Sequence, residues 1–183
     1  MEDKLYLAYG SNLHPVRLQR RVPSARPWGP IRLPGYRLRF NKRSGVDDSA
    51  KATLEPQRGA VAWGVLFAID PRERPFLDEA ESLGAGYHLE RWTLEVGGAG
   101  HRIFTYRAQD AYLDETAVPF DWYRDLVLEG ARYHRFPLDY VAALETVPAR
   151  PDDDAERARR HRELLQEMRG VPVSVTQGNE SVK

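Results

Sequence analysis

Cysteine is missing from this chain of 183 residues. Its absence excludes disulfide frameworks, thiolate metal centres and a cysteine nucleophile, and it suits a reducing, cytoplasmic setting. Net charge is missing too, since 27 Lys and Arg balance 27 Asp and Glu. Neutrality argues against a protein whose main work is to coat nucleic acid or an anionic membrane. No apolar run approaches the roughly 18 residues of a membrane span, and the opening MEDKLYLAYG is charged where a signal peptide turns apolar. The histidines at 14, 88, 101, 134 and 161 include no helical pair at metal-ligand spacing, so no metal site is expected. There is no P-loop, dinucleotide fingerprint or G-x-S-x-G elbow. Carboxylates and hydroxyls remain as the available chemistry.

What is present suffices for a core, with 42% hydrophobic and 10% aromatic residues. Leu5, Leu7 and Tyr9 alternate with Tyr6 and Ala8, the pattern of a strand buried on both faces. Gly10 and Ser11 break it, and Asn12 is the expected cap of a short helix to about Val22. Pro23, Pro27, Pro30 and Pro34 forbid regular helix. Tyr36, Leu38 and Phe40 alternate with Arg37 and Arg39 as a half-exposed strand, followed by a loop at 44–49. The run from Val61 to Ile69 is apolar on both alternations and reads as a central strand. Asp70-Pro71 opens a helix with Phe76, Leu77, Ala80 and Leu83 as its buried stripe, ending at Gly84. Two strands, Tyr87 to Val96 and Arg102 to Ala108, form a hairpin around the glycines at 97, 98 and 100. Phe120 to Tyr133 and Leu138 to Val147 read as helices. Asp152 to Arg169 is a charged helix with a thin stripe of His161, Leu164, Leu165 and Met168, and the residues from Val171 are expected to be loose. Strands followed by helices predict an α+β fold whose mixed, mostly antiparallel sheet is able to close into a small barrel.

Charge is segregated despite its zero sum. From His14 to Arg43 there are arginines and a lysine but no Asp or Glu. Spacing assigns Arg37 and Arg39 to the wet side of a strand, and Arg17, Arg20 and Arg21 to the wet side of a short helix. The sharper alternative is an anion-attracting rim, in the extreme a non-catalytic barrel that binds small ligands or polyanions through residues 14–43.

Two segments have the make-up of a site. In Tyr9-Gly10-Ser11-Asn12-Leu13, glycine permits close backbone approach, and consecutive N–H groups before a helix can hold an anion. The same residues also make an ordinary capped turn. In Leu77-Asp78-Glu79-Ala80-Glu81, three acids crowd a helix end where they oppose the macrodipole. With the stripe set through Phe76, Ala80 and Leu83, Asp78 points to solvent while Glu79 and Glu81 flank the buried face. A partly desolvated carboxyl there is suited to general acid/base work, and periodicity does not choose between the two glutamates.

The stretch Leu7-Ala8-Tyr9-Gly10-Ser11-Asn12-Leu13 resembles the signature of the γ-glutamylcyclotransferase family. The resemblance continues through Trp63-Gly64-Val65-Leu66-Phe67, Leu77 to Glu81, Gly86-Tyr87, Tyr123, Gly130-Ala131 and Pro137-Leu138, in family order over about residues 4 to 148. It implies a small mixed, mostly antiparallel β-barrel flanked by helices over residues 1–150, with a charged helix and tail over 151–183. It also implies a cofactor-independent enzyme that releases 5-oxoproline from a small γ-glutamyl amine or peptide, with neither nucleic acid nor membrane as partner. Matching residue by residue places the family's catalytic glutamate on Glu81. The substrate-binding loop falls on Tyr9, Gly10, Ser11, Asn12 and Leu13, and pocket tyrosines on Tyr106 and Tyr123. A further family tyrosine has both Tyr87 and His88 as matches, and the family glycine after the glutamate is Ser82 here. Leaving-group specificity is expected in the irregular segments near Arg43 to Asp48 and Ala111 to Phe120. A homodimer is an expectation from narrow apolar stripes such as that of the final helix.

Overall fold

The computed structural model describes residues 4–172. At its centre runs β1 (Leu5–Ala8), where Leu7 and Ala8 are wholly buried and Tyr6 nearly so. Both faces are covered, as the double alternation requires. One edge of β1 pairs antiparallel with β3 (Ala50–Ala68), Leu5 opposite Ala68, and the other pairs parallel with β5 (Ala99–Ala108), Tyr6 opposite Phe104. With β2 (Arg26–Arg43) and β4 (Tyr87–Val96) outside them, the sheet order is β2-β3-β1-β5-β4.

Both strands of the first hairpin are longer than their apolar runs suggested. β2 passes straight through Pro27, Pro30 and Pro34. An edge strand tolerates proline because half its N–H groups have no ladder partner, and register slips at Pro27/Gly29 and Pro34/Tyr36 absorb the rest. The expected closure into a barrel requires correction. Among the described residues β2 and β4 end the strand order without pairing with each other, and they approach through the stacked rings of Tyr36 and Trp92, with centroids 5.0 Å apart. A strand interrupted by proline lacks the donors for a closing ladder, so the sheet curls and stays open.

The helices cover this sheet. α1 (Pro15–Gln19) is capped by His14, whose Nδ1 accepts from Val16 N–H at 3.2 Å, and not by Asn12. Asp70 caps a 3-10 turn at Pro71–Glu73 that leads into α2 (Arg74–Ala80). The stripe expected on α2 is also corrected: Leu77 is buried, whereas Phe76 and Leu83 are exposed. The helix stops at Ala80, so Leu83 falls in the following turn and Leu77 alone anchors it.

α3 (Asp121–Tyr133) buries Leu126, Val127 and Ala131, and α4 (Leu138–Glu145) follows it. Gly130 lets α3 approach the loop after β1. A Cβ there would lie 2.4 Å from Leu13 Cβ and 3.1 Å from His14 N. α5 (Ala155–Gly170) inserts Leu164, Leu165 and Met168 into the same core and stacks His161 on Trp122 at 3.7 Å. The stripe that suggested a homodimer is therefore covered within the chain. The loose tail expected from Val171 lies, beyond Pro172, outside the described residues. No helix among the described residues is long and apolar enough to cross a membrane.

Candidate functional site

Glu81 stands just past the end of α2, as its C-cap, with φ −92° and ψ 4°. Ser82 follows in the left-handed region, φ 51°. Its N–H donates to Glu79 O at 2.9 Å, and Leu83 N–H reaches back to Asp78 O at 2.9 Å. This is the paired bonding of a Schellman terminus, which explains why glycine suits the Ser82 position. The turn aims the Glu81 side chain back across the sheet towards the loop after β1.

There Asn12 and Arg21 meet it. Asn12 Nδ2 donates to Glu81 Oε1 at 2.7 Å, and Arg21 Nη1 donates to the same oxygen at 2.9 Å. Arg21 also donates to Asn12 Oδ1 at 3.0 Å, closing a three-residue ring of contacts. Asn12 Nδ2 lies 3.2 Å from the Tyr6 hydroxyl, to which it also donates. Among the described residues no hydrogen bond falls on Glu81 Oε2. The carboxylate is thus held by one oxygen and presents the other.

Around it five tyrosines, at 6, 9, 87, 106 and 123, line a cavity of ≈ 20 Å³ together with Gly10, Ser11, Asn12 and Ala52. That is room for about one water, so a larger guest has to displace side chains or the turn. The tyrosine hydroxyls brace the walls. Tyr9 donates to Tyr106 O at 2.5 Å, Tyr106 to Asp78 Oδ1 at 2.5 Å, and Tyr87 to Ala52 O at 2.7 Å. Tyr123 accepts from Ala52 N–H at 3.0 Å. Burial, with the Glu81 charge among the further causes, pushes all five hydroxyls up from their ordinary 10.0, so they serve as neutral hydrogen-bonding groups.

Of the residues expected from sequence, Glu81, Tyr9, Gly10, Ser11, Asn12, Tyr87, Tyr106 and Tyr123 all meet at this cavity. Leu13 does not line it: its N–H turns back to Gly10 O at 3.1 Å and its side chain is buried. Tyr87 rather than His88 faces inward, for His88 Nε2 lies on Glu90 Oε1 at 2.8 Å. Glu79 is exposed. Asp78 was expected in solvent, yet it accepts from Tyr106 and from Arg74.

Tyr6, Arg21 and Ala52 were not singled out in advance. Tyr6 carried a faint signal, a hydroxyl on a strand buried on both faces; Arg21 carried none. The basic block does not form one wet face. Arg17 is buried, with its Nε lacking a hydrogen-bond partner among the described residues, and burial pushes its guanidinium down. Arg20 pairs with Glu167, and Arg39 with Glu115. Among the described residues no cluster of His, Asp and Glu is able to hold a metal ion.

Comparison with known proteins locates this architecture. The AIG2-like family model matches residues 61–144. Gamma-glutamylcyclotransferase of Homo sapiens is 30% identical over 150 residues, 80% of this chain and 79% of its own length. The Bos taurus protein of the same name is 28% identical over the same shares. A solved structure of a gamma-glutamyl cyclotransferase superposes with a TM-score of 0.76 at 25% identity, covering 90% of this chain and 98% of that one.

Proposed function

The chain belongs to the γ-glutamylcyclotransferase family, and we propose that it converts a γ-glutamyl amine or peptide into 5-oxoproline and a free amine with Glu81 as its proton carrier. The observation that carries this reading is the Glu81 carboxylate. It is clamped at Oε1 by Asn12 and Arg21, with Oε2 left open beside a tyrosine-walled cavity and the loop after β1.

The chemistry is an intramolecular aminolysis. The substrate's α-nitrogen attacks its own γ-carbonyl carbon, a lactam C–N bond forms, and the bond to the departing amine breaks. Of the ammonium's three hydrogens, one stays on the lactam nitrogen and two end on the departing amine. No proton or water is consumed, so one carboxyl that accepts and returns protons suffices. Folding the glutamyl group until nitrogen and carbon stand about 3–3.5 Å apart supplies much of the acceleration. Backbone N–H groups of Ser11 and Asn12 are the donors best placed for the substrate carboxylate or the developing oxyanion, since Leu13 N–H is held by Gly10. The small cavity fits a site that closes on its substrate and excludes water, which favours cyclisation over hydrolysis. A small γ-glutamyl compound is then the partner, and a reducing, cytoplasmic setting suits a chain without cysteine.

The test is product identity. Incubated with γ-glutamyl-alanine and related γ-glutamyl compounds, the protein is expected to release 5-oxoproline and amine one for one. Free glutamate as the main product, or no turnover across the panel, would overturn the reading.

A further inference from the structure

Lys42 is a charged side chain whose surroundings do not account for it. Although it lies on β2, an edge strand, it is 4% exposed. Among the described residues no ion pair or hydrogen bond reaches its ammonium. Its neighbours are rings: Nζ lies 4.8 Å from the centroid of Tyr87 and 5.7 Å from that of Tyr112. Burial pushes the ammonium down, and Glu81 is the foremost of the charges that pull it back up.

Its position is equally particular. Tyr87 lines the glutamate-bearing cavity. Tyr112 lines a second cavity of ≈ 650 Å³, walled by residues 43–48 and 111–115, the two irregular segments where leaving-group specificity was expected. The strand residue Lys42 bridges to Leu113, and Gln109 N–H donates to Gly86 O at 3.0 Å, so one segment runs from the turn after Glu81 to Lys42. Gly86 has φ 143°, and a Cβ on it would lie 2.7 Å from Lys42 Nζ. The glycine makes room for the ammonium behind Tyr87 and Tyr112, one ring from the lining of each cavity.

The larger cavity is acidic by composition, yet its acids are already engaged. Asp48 and Asp114 pair with Arg43, Asp47 with Lys51, and Glu115 with Arg39. Those four carboxylates share three cations, and the Lys42 ammonium at the junction forms an ion pair with none of them.

We propose that the cavity between residues 43–48 and 111–115 seats the departing amine and that Lys42 reads a carboxylate carried on it, making Lys42 a specificity-determining residue. This rests on the cyclotransferase reading above. A carboxylate supplies the partner that the ammonium lacks, and in a half-dry setting such a charge-assisted contact is strong. A neutral amine of the same size leaves the ammonium as it stands.

The experiment compares γ-glutamyl-alanine with γ-glutamyl-alaninamide, which differ only in that carboxylate, on wild type, Lys42→Met and Lys42→Arg. Wild type is expected to favour the acid in kcat/KM by roughly 10–100-fold, the range of a charge-assisted contact. Lys42→Met is expected to erase the preference by losing turnover of the acid while keeping the amide, and Lys42→Arg to retain part of it. A wild type that treats both substrates alike overturns the proposal without any variant. So does a Lys42→Met protein that loses both equally, as a purely structural lysine would. Wild-type inactivity on both substrates and on the wider γ-glutamyl panel overturns the cyclotransferase reading itself, and this proposal with it.

Discussion

Ser82 sits at φ 51°, a left-handed conformation that costs an L-residue with a side chain roughly 1–2 kcal/mol. Ser82→Gly removes that strain and adds about 0.5–1 kcal/mol of unfolded-chain entropy, so a net gain of up to about 1 kcal/mol in urea unfolding is expected. A loss of stability would show that the serine side chain contributes something the turn geometry does not reveal. The same turn explains why periodicity left Glu79 and Glu81 undecided. A helical wheel describes residues inside a helix, and Glu81 lies just past its end, where the chain turns and re-aims the side chain. Asp78 was read as solvent-facing because its partner, the Tyr106 hydroxyl, comes from a strand 28 residues away. Arg21 was illegible for the same reason. Its role depends on Glu81, which is brought to it by folding and not by spacing.

At the scale of elements, the glycine in α3 controls the loop that faces Glu81. Gly130→Ala overlaps Leu13 and the His14 backbone, for a cost of roughly 1–3 kcal/mol against a helix-propensity gain of about 1 kcal/mol. Lower stability with lower kcat/KM is expected from paired unfolding and turnover measurements. An alanine variant as stable as wild type would mean that α3 does not press on the loop. Legibility here followed locality. The β4–β5 hairpin, the Asp70 cap and the α5 stripe all rest on neighbours in sequence, and all were readable. The prolines of β2 were read correctly as excluding helix, but not as lying in an 18-residue edge strand. Whether a strand is an edge depends on its partners, and no window of sequence contains them. The α2 stripe misled because the helix is only 7 residues long and meets the sheet through Leu77.

For the molecule as a whole, one buried and two half-buried histidines predict a pH response. Burial foremost holds His14, His134 and His161 to about 4, below the ordinary 6.5. The unfolded chain therefore takes up protons first, and the stability is expected to fall as pH drops from about 6.5 to about 4, with this loss levelling off below. Equilibrium unfolding across that window checks it, and a flat profile would contradict it. His161→Phe keeps a ring over Trp122 and removes one titrating group, which faces Arg17, Lys51 and Arg160, so its profile is expected to be shallower. The open sheet has a whole-molecule consequence too. Its edges meet through Tyr36 and Trp92 and not through a ladder, and the Glu81 cavity is framed by β1, β3, β4, β5 and three helix-linked segments that only the complete fold assembles. The most direct measurement is the rate of 5-oxoproline formation by Glu81→Gln beside Glu79→Gln. With both variants folded, Glu81→Gln is expected to fall by about 10²–10⁴-fold, the usual worth of general acid–base catalysis, while Glu79→Gln keeps most of its rate. A folded Glu81→Gln protein turning over near the wild-type rate would contradict the account.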